Sequence, residues 1–303
     1  MESATLSGIA SKVVWSTMTV AVVTDSTHYL PADVLARHGL HVVSLYVKRG
    51  DTLERESEIS DLDGFYERLR SETDVPTTSQ PSVGDFLAVY EPLLASGQDI
   101  VSVHLSSAVS GTYGAACQAR DQLAEQGLGD RVVVLDSRSS AAGLGLAAIA
   151  AAGRARAGAK ADAVAARAAE AVTRQQIWFC LDTLEYLRRG GRVGGAQAWV
   201  GGALKIKPIL TIDGEIKPVE RVRTSGRAFD RMTQNLRTLR DAGCDGWLVQ
   251  HIQAPDVAQR LVEHGRELFG TEPLFVSEVG PVIGVYLGPG MIGVAGIPTA
   301  ALT

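Results

Sequence analysis

Short apolar, β-branched segments alternate with helical stretches through the first half of the chain, and that alternation restricts the fold more than any single motif. Strand-like segments at Thr19–Thr24, Val42–Val47, Asp99–His104 and Val132–Leu135 are separated by helical patterns at Ala32–His38, about Leu62–Arg70, Val83–Leu94 and about Thr112–Gly127. An Ala-rich helix follows from about Ala141. Strand-helix-strand repeats close as parallel sheets with helices on the faces, because the crossover between parallel strands is right-handed and needs a helix's length. A doubly wound sheet of this kind collects ligands outside the carboxyl ends of its strands. Asp25-Ser26, Ser106-Ser107 and Asp136-Ser137 all stand at such ends, and the loop Thr77-Thr78-Ser79 between Pro76 and Pro81 brings further hydroxyls to the same rim.

The segment Asp99–Tyr113 concentrates this signal. Its first half is a strand and its second half, Leu105-Ser-Ser-Ala-Val-Ser-Gly-Thr-Tyr113, is a hydroxyl-rich turn into a helix. Backbone N–H groups in the first turn of a helix lack intrahelical partners, and the helix dipole places partial positive charge there, so such a turn suits a carboxylate or phosphate. The plainer alternative is that Ser110 or Thr112 caps the helix and the other hydroxyls make local turns.

After a second Ala-rich helix, roughly Ala161–Thr173, the pattern changes. A strand at Trp178–Leu181, a short helix at Leu184–Arg188, a glycine-rich turn at Gly190–Gly195 and a helix at Ala196–Leu204 come first. A hairpin follows around Asp213-Gly214, a dipeptide that suits a tight two-residue turn. Ser225 is the expected N-cap of a helix ending at Gly243. Strand Trp247–Ile252, helix Pro255–Phe269 and strands at Leu274–Val279 and Val282–Tyr286 complete the chain. The predicted organisation is a doubly wound α/β domain over residues 18–173 and an α+β domain over 174–303, with residues 1–17 a disordered extension.

Composition narrows the function. Aromatic residues make up only 6% of the chain against 46% hydrophobic residues in all, so the interior is built from aliphatic side chains. A net charge of -5 without a basic run argues against nucleic acid as a partner. Cys117, Cys180 and Cys244 are too widely spaced for a metal motif, and an odd number suggests reduced thiols in a cytoplasm. The longest apolar run, Ala141–Ala152, is too short to span a bilayer. No nucleophile elbow, phosphate-binding loop or zinc-protease motif is present. Gly143-x-Gly145 starts well after its strand, and Gly288-Pro-Gly-Met-Ile-Gly293 lies too close to the end of the chain for a dinucleotide site; each reads better as close packing or a tight turn. His104 and His251 lie inside strands and read as core histidines, which leaves the rim hydroxyls without a general base.

Several segments together resemble the DegV family of bacterial fatty-acid-binding proteins. They are Thr24–Thr27 with Leu30, Pro76–Ser82, Leu105–Ser107 with Ser110–Tyr113, Asp136-Ser137, Leu187–Trp199, Lys207-Pro208, Val222–Thr224 and Gly288–Gly290, in the family's order from about Thr19 onward. The resemblance implies one acyl chain buried between a doubly wound domain and an α+β domain like that of the dihydroxyacetone kinase substrate subunit. Its carboxylate would be held by Thr77 or Thr78, beside Ser79, and by Ser106 or Ser107, with Asp25 and Ser26 nearby. The resemblance also implies a non-catalytic role, with the acid offered to a separate ATP-dependent fatty acid kinase that docks on Arg192 and Arg223, and no cofactor. Taken by themselves, Arg192 and Arg223 read as a solvated turn residue and a strand-end surface charge. Where the family often carries a His two residues before Gly-Pro-Gly, this chain has Tyr286, a phenol that donates one hydrogen bond but stays uncharged near neutral pH. Two other readings remain open from sequence: a hydrolase or acyltransferase using a rim Ser or Thr with Asp25 or His104 as base, and a small polar-ligand or phosphosugar module.

Overall fold

A computed structural model describes residues 19–71, 76–199 and 206–303. The predicted extension at residues 1–17 and most of the helix expected over 196–204 lie outside the described residues. The N-terminal part contains β1 (Val20–Asp25), α1 (Ala32–His38), β2 (His41–Val43), β3 (Tyr46–Arg49), β4 (Thr52–Arg55), α2 (Leu62–Ser71), β5 (Thr77–Ser79) and α3 (Val83–Ala95). It continues with β6 (Asp99–His104), α4 (Thr112–Ala124), β7 (Val132–Asp136), α5 (Ala142–Arg156) and α6 (Ala161–Arg174). The C-terminal part adds β8 (Gln176–Cys180), α7 (Glu185–Gly190), β9 (Lys207–Asp213), β10 (Glu215–Val222), α8 (Ser225–Asp241) and β11 (Gly246–His251). It ends with α9 (Pro255–Phe269), β12 (Val276–Glu278), α10 (Pro281–Leu287) and β13 (Ile292–Ile297).

The expected parallel sheet is present, ordered β2-β1-β6-β7 with every pairing parallel. Successive strands are added on one side of β1 as far as β2 and on its other side from β6 onward, so the loops after β1 and β6 open the crevice where such sheets bind ligands. Alternation along β1 divides the core: Ala21 and Val23 pack with Phe86, Tyr90 and Ala116 on α3 and α4. Val20 and Val22 pack with α5 and α6 on the other face. A second sheet, ordered β10-β9-β8-β13-β11-β12, is antiparallel except for the β11–β12 edge. One of its faces, including Val249, Ile292 and Val294, meets α8 and α9. The opposite face, including Phe179, Leu248 and Ala295, joins the same hydrophobic core as α5. The fold is therefore mixed α/β, a doubly wound parallel-sheet part followed by an α+β part with its own mixed sheet.

Four local expectations change. The stretch Val42–Val47 is two strands, β2 in the parallel sheet and β3 in a small antiparallel sheet ordered β4-β3-β5. The expected Thr77–Ser79 loop is the edge strand β5 of that sheet, pairing Val47 with Thr78. Thr224 rather than Ser225 caps α8, its hydroxyl accepting the Arg227 N–H. The alternating Val282–Tyr286 is helical: Pro281 occupies the first turn, where its missing N–H costs nothing, and α10 is clasped between α2 and α7. Tertiary packing overrides the β preference of its branched residues.

Candidate functional site

Between the two sheets lies a cavity of about 330 Å3, in the size range of small-molecule sites. Its walls are aliphatic for most of their length. Leu105 comes from the turn after β6, Ile177 and Phe179 from β8, Leu248 from β11, and Met291, Gly293 and Ala295 from β13 and the residue before it. Small residues at 293 and 295 lie on the face of the central strand that meets the cavity, and they leave the trough that larger side chains would fill.

One end is polar. Thr78 from β5 and Tyr286 from α10 both line it, and their hydroxyls are 2.6 Å apart. The Arg192 guanidinium lies 5.1 Å from the centre of the Tyr286 ring and donates to the Gly190 and Val109 carbonyls at 2.8 and 3.3 Å. A cation held over an aromatic face is stabilised by the ring quadrupole. A Cβ at position 190 would strike the Tyr286 ring, so Gly190 is what allows α7 to approach α10 this closely. Ser79, Gln80, Ser110 and Gly111 complete this end. It thus offers hydroxyl donors and one positive charge, a set suited to a carboxylate.

Of the residues expected at the site, the structure brings Thr78, Ser79, Tyr286 and Arg192 to the cavity. Thr77 is exposed and is not among the residues lining the cavity. Asp25 is wholly buried and spent on structure: its carboxylate accepts from the Thr27 N–H and hydroxyl, the Leu105 N–H at 2.9 Å and His104 Nδ1 at 3.1 Å. Ser26 donates to Glu56 at 2.5 Å. Ser106 donates to the Gly214 carbonyl at 2.5 Å, joining the β6 turn to the β9–β10 hairpin. Ser107 is exposed and donates to Asp136 at 2.6 Å. The serine after the third parallel strand that faces the cavity is Ser110, whose hydroxyl is 2.9 Å from that of Thr112. Neither residue caps α4 in the expected way, since Gly111 holds the N-cap position.

His104 is the core histidine that its strand position suggested: it bonds Ser102 at 2.6 Å and stacks edge-on against Phe86. It contacts no rim hydroxyl that could serve as a nucleophile. Arg223 is exposed, one residue beyond β10 and away from the cavity lining. Sequence reasoning missed the buried Gln250, whose Oε1 accepts the Ala142 N–H at 2.8 Å beside the cavity. Ala141, just before it, takes φ 49, a strained conformation for a residue with a Cβ, and its N–H is anchored on the Thr27 carbonyl. Among the described residues no group of three His, Cys, Asp or Glu is arranged to hold a metal ion.

Fold and site together define an α/β protein of two larger sheets and a small third one, with an internal apolar slot closed by hydroxyls and an arginine. A family model described as an uncharacterised protein of the DegV family matches residues 19–299, and the chain belongs to that family. A DegV domain-containing protein of Streptomyces coelicolor is 41% identical over 279 residues, covering 91% of this chain and 97% of that protein. Among solved structures, a DegV family protein of Thermus thermophilus described for its fatty acid binding is 32% identical with a TM-score of 0.81. It aligns over 92% of this chain and 99% of its own. DegV of Bacillus subtilis, described as a fatty acid binding protein, is 33% identical with a TM-score of 0.80 over 92% of this chain and 99% of its own.

Proposed function

We propose that this chain binds one long-chain fatty acid, its tail in the interdomain slot and its carboxylate at Thr78, Tyr286, Ser110 and Arg192, and offers it to a separate ATP-dependent kinase. The observation that carries the reading is the joining of a mostly aliphatic cavity to a polar cluster, where the Thr78–Tyr286 pair and the Arg192 guanidinium meet. Two relatives with closely matching folds are described as fatty acid binding. Burying about 14 methylenes at about 0.8 kcal/mol each yields roughly 11 kcal/mol before association costs of about 4 to 15 kcal/mol, so the tail supplies most of the affinity. The polar end fixes orientation and replaces the carboxylate's lost water.

The lining also supports a binding role. No His, Asp or Glu is among the described residues lining the cavity, so its hydroxyls have no base to activate them. Three unpaired cysteines fit residence in the reducing cytoplasm, and no helix among the described residues is long and apolar enough to cross a membrane. Domain limits near residues 18–173 and 174–303 fit the division between the two larger sheets. For the kinase, Arg192 and Arg223 remain the proposed docking charges, with Arg192 also facing the carboxylate. Organic extraction of the purified protein followed by mass spectrometry tests the reading. Near-stoichiometric fatty acid is expected, and protein that releases none and fails to bind added acid rules it out.

A further inference from the structure

We propose that Glu56 is a positioning residue for the polar end of the cavity, its buried carboxyl fastening the first turn of α10, and with it Tyr286, to the loop after β1. The consequence for binding rests on the fatty-acid reading above.

Glu56 is 6% exposed and stands outside the cavity lining. Its Oε1 accepts the Val282 N–H and the Tyr29 hydroxyl, both at 2.7 Å, and its Oε2 accepts the Ser26 hydroxyl at 2.5 Å. The Tyr29 oxygen in turn accepts the Ile283 N–H at 3.1 Å. The first turn of a helix has N–H groups without intrahelical partners. In α10, Pro281 has no N–H and Gly280 no side chain to act as a cap, so the next two donors are satisfied from outside the helix by Glu56 and Tyr29. A Cβ on Gly280 would lie 2.6 Å from Tyr29 Cε1, which shows how closely the helix is seated.

The same residue also ties down Leu45. The Glu56 N–H donates to the Leu45 carbonyl at 2.9 Å, and the Leu45 N–H donates to the Ser26 hydroxyl at 3.1 Å. Leu45, Val282, Ile283, Tyr286 and Leu287 all line the cavity. The ionisable groups around the carboxyl are Asp25 and His28 beside the β1 loop, Tyr29, Tyr66 on α2 and, beyond Tyr66, Glu278 on β12. Burial pushes the Glu56 carboxyl up to about 6, with the three donors opposing that rise and the charge of Asp25 adding to it. Removing one member of a satisfied buried network leaves the others unpaired, so the effect should appear where the network ends, at Tyr286.

The test compares E56A, E56Q and Y29F for binding of palmitic acid and of hexadecanol, and for hydrogen exchange of the α10 amides without ligand. Gln retains the acceptor for Val282 and Tyr29. Y29F keeps the ring and removes only the bridging oxygen, so it serves if E56A does not fold. Support is a loss of at least tenfold in acid affinity for E56A and Y29F, hexadecanol changing less than threefold, faster α10 exchange, and near-native values for E56Q. Equal losses for acid and alcohol, or wild-type acid affinity and α10 exchange in E56A or Y29F, overturn the proposal. Wild-type protein that binds neither ligand refutes the fatty-acid reading, and the exchange data still decide whether Glu56 positions α10.

Discussion

Replacing Gly293 with Leu tests whether the slot holds the hydrocarbon tail. Gly293 lines the cavity in the middle of the second sheet, paired with Phe179 and Gln250 on its two neighbours. A Cβ built there meets nothing nearer than 3.5 Å, so the strand accepts a side chain without moving. The added four carbons would take the place of about four methylenes of ligand. At about 0.8 kcal/mol each, the loss is about 3 kcal/mol, or roughly two-hundredfold in Kd. Titration of delipidated protein with palmitic acid and with hexadecanol, followed by calorimetry, should show both weakened alike, because the change is remote from the headgroup. The unliganded variant should melt no lower than wild type, since filling an apolar void usually adds about 0.5 to 2 kcal/mol. Unchanged affinity for both ligands, or a loss confined to the acid, would refute the placement of the tail.

At the polar end, T78V should weaken palmitic acid by about 10- to 150-fold, the worth of one hydrogen bond to a charged group at about 1.5 to 3 kcal/mol, and hexadecanol by less; calorimetry on the two ligands reads the difference. S110A should likewise weaken the acid severalfold, whereas S107A, whose hydroxyl is engaged with Asp136, should bind within about threefold of wild type in the same titration. Acid stability should be governed by two buried groups with opposite signs. Burial lowers His28 from 6.5 to about 4, so it favours the fold above its unfolded value and that contribution, about 3 kcal/mol, is lost as pH falls from 6.5 to 4. Burial raises Glu56 from 4.5 to about 6, so its contribution, about 2 kcal/mol, is present below 4.5 and lost as pH rises to 6. Urea melts across this range should therefore show H28Q less acid-sensitive than wild type and E56Q more so.

The architecture was legible in the sequence because it depends on short-range periodicity. Alternating β-branched strands and amphipathic helices identify the βα units of the first half, and Asp213-Gly214 forms the hairpin that its residues predict. The pattern failed where local preference met tertiary packing. Val282–Tyr286 alternates like a strand, yet it folds as α10 because Pro281 starts a helix and Glu56, Tyr29 and Tyr66 receive it. Residue pattern brought the Thr78 hydroxyl to the rim, whereas Tyr286 entered as a candidate only through the family resemblance.

Sequence by itself determined which hydroxyl-bearing turns follow which strands, since residue type and spacing act over a few residues. Only the tertiary structure decided which of those hydroxyls face the slot. Ser106, Ser107 and Asp25 have the right chemistry at the right strand ends, but Gly214, Asp136 and His104 occupy them. Thr78 meets Tyr286 across 208 positions of chain, and Arg192, which reads from sequence as a solvated turn residue, lies over that ring. A side chain's direction is set by strand register and by partners distant in sequence, and no local pattern encodes either.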